Sequence, residues 1–152
     1  MNENRKSLTE VESAFIRQQR VAHLATSDAD GHPSVVPVCY AFDGQRFYTP
    51  LDEKPKRIDA RKLKRVRNIE ARHEASLIID QYSDDWSQLG YVLIYGRAEL
   101  LPPGHILHAL ALPLLRARYS QYRVMALENL PVIMLTPERI SSWGPVLVSS
   151  SP

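Results

Sequence analysis

The chain has 152 residues, 44% hydrophobic and 24% charged, with a formal net charge of +2 at pH 7. This is one domain's worth of ordinary globular sequence, able to bury a core without metal or disulfide staples, and too weakly basic overall to mark a nucleic-acid binder. The polar start MNENRKSLTE lacks signal-peptide character, and no apolar run approaches the ~20 residues of a membrane helix, so a cytoplasmic chain with no membrane partner is expected.

Thr9 and Glu12 fit a capping box, and Val11, Ala14 and Phe15 follow at helical spacing, predicting a helix over 10–19. Val21 to Ser27 alternates as a strand, and Asp28-Ala29-Asp30-Gly31 is a hairpin turn. His32 to Phe42 reads as one long second strand. Pro33 and Pro37 within it lack amide donors, so those positions must face an edge, a bulge or a bound group. Cys39, the single cysteine, lies here with no internal partner and reads as a small buried hydrophobe. After the turn at Asp43-Gly44, Gln45 to Thr49 completes an expected three-stranded antiparallel meander.

Pro50 to Ile58 is a loop, and Asp59 to Ala71 reads as a helix, with Leu63, Val66 and Ile69 on its apolar side. Lys54, Lys56, Arg57, Arg61, Lys62, Lys64, Arg65 and Arg67 place eight of the chain's 19 basic residues within this stretch. Concentrated like charge repels itself, so the segment is expected to face an anion. The competing readings are a solvated helix face and a nucleic-acid contact, and the latter lacks interleaved aromatics.

Ala75 to Tyr82 is a fourth strand, apolar on both faces at Leu77, Ile78 and Ile79 and therefore central. Ser83 to Gln88 is a polar connection carrying Trp86. Gly90 to Leu101 is a fifth strand, His105 to Tyr119 a helix kinked or restarted at Pro113, and Pro131 to Trp143 a sixth strand. His105 and His108 share a helical face, but no cysteine or carboxylate accompanies them, and no metal is expected. No Ser–His–Asp order is legible, and Tyr119, Tyr122 and Arg123 read as a surface feature at a helix end. Short strands, hairpins and a few helices suggest a small β-barrel with helical additions, the alternative being an open α+β sheet.

Several weak motifs occur in a telling order: Gly31-His32-Pro33, Val36-Pro37-Val38, an aromatic strand, a basic loop, then Lys62, Arg65 and Asn68 as Lys-x-x-Arg-x-x-Asn, then an apolar strand. This order resembles the pyridoxamine 5'-phosphate oxidase-like split-barrel family of flavin and deazaflavin binders. The string Asp52-Glu53-Lys54-Pro55-Lys56-Arg57, and Asp80-Gln81-Tyr82 followed by Asp85-Trp86-Ser87, resemble its deazaflavin (F420) subgroup. The resemblance implies a mainly β fold with helices, a six-stranded split barrel in a single domain over 1–152. It implies a homodimer with FMN or F420 at the interface and a small conjugated substrate.

By the same resemblance, Thr49, Lys54, Lys56, Arg57, Lys62, Arg65 and Asn68 would meet the cofactor's phosphate or tail. Val36, Pro37 and Val38 would lie under its ring, with Trp143 a further ring contact. A phosphate favours charge-assisted donors and a helix N-terminus, which such a segment offers, and eight cations exceed what one phosphate needs, which leans toward F420. No catalytic acid or base is identified. The Arg and His pair with which true pyridoxamine phosphate oxidases grip substrate is missing after Trp143, where Gly144-Pro145-Val146-Leu147-Val148 follows. The implied function is therefore hydride transfer between the cofactor and another substrate, the alternatives being a storage protein without turnover or a basic interaction module.

Overall fold

A computed structural model describes residues 5–51 and 63–148. Its frame is one seven-stranded antiparallel sheet. The strands are β1 (Ala22–Ser27), β2 (Pro33–Val38), β3 (Ala41–Phe42), β4 (Phe47–Pro50), β5 (Glu74–Gln81), β6 (Gly90–Leu101) and β7 (Val132–Trp143). Their spatial order is β2-β1-β5-β6-β7-β4-β3. Among the described residues three α-helices accompany them: α1 (Glu10–Gln18), α2 (Lys64–Ala71) and α3 (Ile106–Arg118). Among the described residues, no helix is long and apolar enough to cross a membrane.

The sheet curls around the main core. Side chains alternate across each strand, so Leu24, Leu77, Ile79, Val92, Ile94, Ile133, Leu135 and Ile140 point inward. Phe15 and Ile16 of α1, and Val66 and Ile69 of α2, pack against the same interior. α1 starts as expected: Thr9 Oγ1 accepts from the Glu12 amide, and a Glu12 carboxylate oxygen accepts from the Thr9 amide. Buried Glu12 also binds the Arg5 guanidinium, with Nη2 and Oε2 2.9 Å apart. Burial opposes ionisation of Glu12, but hydrogen bonds from Arg5, Ser142 and the Thr9 amide outweigh it and hold its pKa to about 2.

The expected meander is corrected. The first hairpin exists: β1 and β2 pair from Ala22↔Val38 to Ser27↔Pro33, and Gly31 takes the turn at φ 87°. The chain then leaves the ladder at Cys39 and Tyr40 and crosses to the opposite end of the sheet, where β3 pairs with β4. One predicted strand thus becomes two. Tyr40 accounts for the break, because its buried hydroxyl donates to the carbonyls of Ile16 and Gln19. Its amide donates to Tyr119 Oη at 3.1 Å rather than to a strand. Pro33 and Pro37 sit on an edge strand, as their missing donors require. β5 is central, flanked by β1 and β6.

A second core covers part of the outer face. Ala111, Leu112 and Leu115 of α3 pack over Ala41, Tyr48, Leu101, Val132 and Met134. α3 runs unbroken across Pro113, which is exposed and removes one helical donor. Tyr119 and Tyr122 are buried in this cluster, which corrects their reading as a surface feature. Cys39 is half-buried at its edge.

Candidate functional site

β6 and β7 change partners along their length. In the first half of β7 the outer face lies under α3. In the second half the rungs Tyr95↔Arg139, Leu93↔Ser141 and Tyr91↔Trp143 point outward, and among the described residues no element lies over them. The ladder continues this bare face across β5, β1 and β2 through Ser76, Ile78, Ala25, His23, Val35 and Pro37. Val35 is 65% exposed there.

The boundary between the halves is a β-bulge. The β6–β7 register shifts between Tyr95 and Gly96, leaving Glu138 as the extra residue between Pro137 and Arg139. Gly96 is required, since a Cβ there would collide with the Thr136 carbonyl. At the same level the recorded β1–β5 pairing ends at Ala25↔Ser76. A cleft of about 450 Å³ opens there, lined by Thr26, Ser27, Glu74, Ser76, Tyr95, Glu138 and Arg139 among others. The Arg139 guanidinium stacks 4.2 Å from the Tyr95 ring centroid.

α2 is tethered beside this cleft. Asn68, 3% exposed, donates from Nδ2 to Thr26 Oγ1 at 3.0 Å. Arg72 donates to the Ala29 carbonyl at 3.0 Å, and Lys64 Nζ lies 3.7 Å from Asp28 Oδ2. These contacts hold the basic helix against the end of β1 and its hairpin. Asp28, Asp30 and His32 bring their ligand atoms within 4.8 Å of one another. Asp28 Oδ1 is already occupied by the Asp30 and His32 amides, which it organises into the turn.

The candidate residues from the sequence divide as follows. Lys54, Lys56, Arg57 and Lys62 lie outside the described residues, as do positions 59–62 of the predicted helix, and Leu63 is the extended N-cap of α2 rather than a helical residue. Arg65 is half-buried on α2, and Asn68 faces Thr26. Val36 and Val38 point toward the main core, so only Pro37 of that trio presents its side chain to the bare face. Thr49 is buried on β4 opposite Ile133, at the other end of the strand order from β2. Trp143 is 55% exposed, its ring 6.3 Å from that of Tyr91. Asn68 is near β2 in register, since Thr26 faces Ser34 and Leu24 faces Val36.

Tyr95, Glu138, Arg139 and Thr26 were not legible as site residues. The available signal was Gly96, an isolated glycine inside a strand pattern, which marks a bulge or a close backbone approach.

Comparison with known proteins agrees with this geometry. No curated protein matches the chain. Among solved structures, a conserved hypothetical protein from Mycobacterium tuberculosis superposes with a TM-score of 0.73 at 19% identity, over 100% of this chain and 98% of that one. HutZ, the heme storage protein of Vibrio cholerae, gives a TM-score of 0.69 at 15% identity over 91% and 94% of the two chains. An FAD-binding protein from Mesorhizobium loti gives 0.64 at 24% identity over 90% and 94%. At such identities these likenesses establish the fold alone. The family model described as pyridoxamine 5'-phosphate oxidase matches residues 8–144, and so the chain belongs to that family, with the mainly β split-barrel fold.

Proposed function

We propose that this protein binds FMN or the deazaflavin F420 as a homodimer and transfers a hydride between that cofactor and a small conjugated substrate. The observation that carries the reading is the bare half of the outer sheet face, with its cleft, lying beside a tethered basic helix. The described residues suit a flat cofactor with an anionic tail. Lys64, Arg65 and Arg67 of α2, continuing the run of Lys54, Lys56, Arg57 and Lys62, supply cations for the tail. Asn68 anchors that helix to Thr26. Pro37 offers an apolar surface on the sheet, and Trp143 with Tyr91 an aromatic one. The cofactor ring supplies the hydride chemistry, and the protein's part is to orient it and exclude water. A second copy over the bare half would close the cleft and bury Val35.

Heme binding is a second reading, favoured by the structural likeness to the heme storage protein HutZ. Titration of the purified protein with FMN, F420 and hemin separates the two. Saturable FMN or F420 binding at one per protomer is expected, with a dimer by sedimentation. Lys56→Ala should weaken both, while Lys62→Ala weakens F420 alone and added salt weakens F420 more steeply. Saturable hemin binding with no flavin binding would overturn the reading in favour of heme.

A further inference from the structure

The ladder between β4 and β7 stops at Phe47↔Leu135, and beyond it the two strands part. Further along β7 the N-terminal segment takes over, where the Ile140 amide donates to the Arg5 carbonyl at 2.7 Å. Between these two closures lies a cavity of about 200 Å³, with Leu8, Phe42, Pro137 and Ile140 as its apolar lining. It is separate from the cleft of the bare face. Glu138 and Arg139 line that cleft, whereas Thr136, Pro137 and Ile140 of the same strand line this cavity.

Both walls of the cavity are fixed. Arg5 pins the N-terminal wall: its Nη1 donates to the Ser7 carbonyl at 3.0 Å, and its Nη2 lies 2.9 Å from Oε2 of buried Glu12. The opposite wall is the turn between β3 and β4. There Asp43 Oδ1 accepts from the amides of Gln45 at 2.8 Å and Arg46 at 2.7 Å, and Oδ2 accepts from the Tyr48 hydroxyl at 2.6 Å. Phe42 rests against Phe47, with ring centroids 4.6 Å apart. A space between two pinned walls is preformed, so a ligand entering it orders little of the protein.

The charge of the lining is of one sign. Lys6 and Arg46 contribute to it, with Ser7, Gln45 and Thr136 as neutral polar neighbours, and none of the lining residues is acidic. Among the described residues neither Lys6 nor Arg46 has a carboxylate within salt-bridge distance. Asp43 attracts Arg46, but both of its oxygens are committed inside the turn. Two cations without a paired counter-charge, beside an apolar lining, complement an anion that carries an apolar body. The volume is below the ~300–1,000 Å³ of drug-sized sites, which limits that body to a single ring or a short branched chain.

We propose that this cavity is a second ligand site, which binds a small monocarboxylate with a compact apolar body. Lys6 and Arg46 meet the carboxylate, with the Ser7 and Thr136 hydroxyls as further donors, and the apolar body lies against Leu8, Phe42, Pro137 and Ile140. The site is independent of the cofactor reading, because none of these residues belongs to the bare face or to α2.

The test is a titration of the purified full chain with benzoate, followed through amide chemical shifts. Benzyl alcohol, benzylamine and acetate serve as probes that lack the charge, invert it or lack the apolar body. Saturable shifts at the Ser7, Gly44 and Thr136 amides are expected with benzoate, the other three binding at least about tenfold more weakly. Lys6→Gln and Arg46→Gln should each raise the benzoate Kd about threefold, and the double variant about tenfold. Arg46→Lys, which keeps the charge, should restore most of the affinity and guards against a loss that comes from the turn unfolding. Shifts that stay linear in benzoate, equal affinity for benzoate and benzyl alcohol, or an unchanged Kd in a folded double variant would each overturn the proposal. So would benzoate shifts confined to the amides of α2, which would mark general attraction to its cations.

Discussion

The two halves of the outer sheet face share β6 and β7 and differ in what lies over them. On the first half of β7, Val132 and Met134 share a buried cluster with Leu112 and Leu115 of α3, Tyr48 and Leu101. On the second half, Arg139, Ser141 and Trp143 alternate outward beside Tyr95, Leu93 and Tyr91, and the described residues supply no cover. The covered half is the apolar one and the bare half is mixed, with a bulge and a cleft at the boundary. A sheet face of that mixed character suits a surface closed by another molecule, wet at its edges and apolar at its centre.

Substitutions should separate the halves. The largest effect is expected on the covered side, where Leu115 is fully buried. Leu115→Ala should cost about 2–5 kcal/mol in urea unfolding and leave the bare face's binding properties intact once folded.

The next effect distinguishes how α1 is attached from how α3 is. α3 is held mainly by apolar contact, with the Glu128 carboxylate exposed in its Arg116–Glu128 pair, whereas α1 carries the Arg5–Glu12 pair with Glu12 buried. The folded-state pKa of Glu12 is about 2, below its ordinary value of 4.5. Its stabilisation is therefore complete above pH 4.5 and is lost as pH falls toward 2, an effect of roughly 2–3 kcal/mol. Urea midpoints measured across that window should fall in the wild type and fall less steeply in Glu12→Gln.

The smallest effect on folding belongs to the bare half. Val35→Asp should change the unfolding free energy of the isolated protomer by about 0.5 kcal/mol or less, because the side chain is exposed in the single chain. The same substitution should convert a sedimenting dimer to monomer. A dimer that survives Val35→Asp would remove this face as the subunit interface.

Local features were readable from the residues in order. Thr9 and Glu12 cap α1 because a side-chain oxygen three positions from an amide needs no information beyond the chain itself. The Asp28–Gly31 turn is equally local, since glycine supplies the positive φ. Gly90 to Leu101 was legible as a strand through its alternation, and Leu77 to Ile79 as central because both faces are apolar. The order of motifs around Val36-Pro37-Val38 and Asn68 was enough to suggest the family that the match over residues 8–144 then established.

What the tertiary structure alone decided lies between elements far apart in sequence. Tyr40 donates its amide to Tyr119 Oη and its hydroxyl to the Ile16 carbonyl, and that long-range choice sends the chain from one sheet edge to the other instead of completing a meander. Asn68 turns to Thr26, 42 residues away, so a residue read as a ligand contact serves as an anchor beside the cleft. The strand period places Val36 and Val38 inside and Pro37 outside, but only the position of the core determines which of those faces is which. Composition and spacing determined which segments would be helix, strand and turn, because those preferences act within a few residues. The bare half, its cleft and its aromatic end exist only after β6 and β7 have outrun α3, because exposure is a property of what fails to pack.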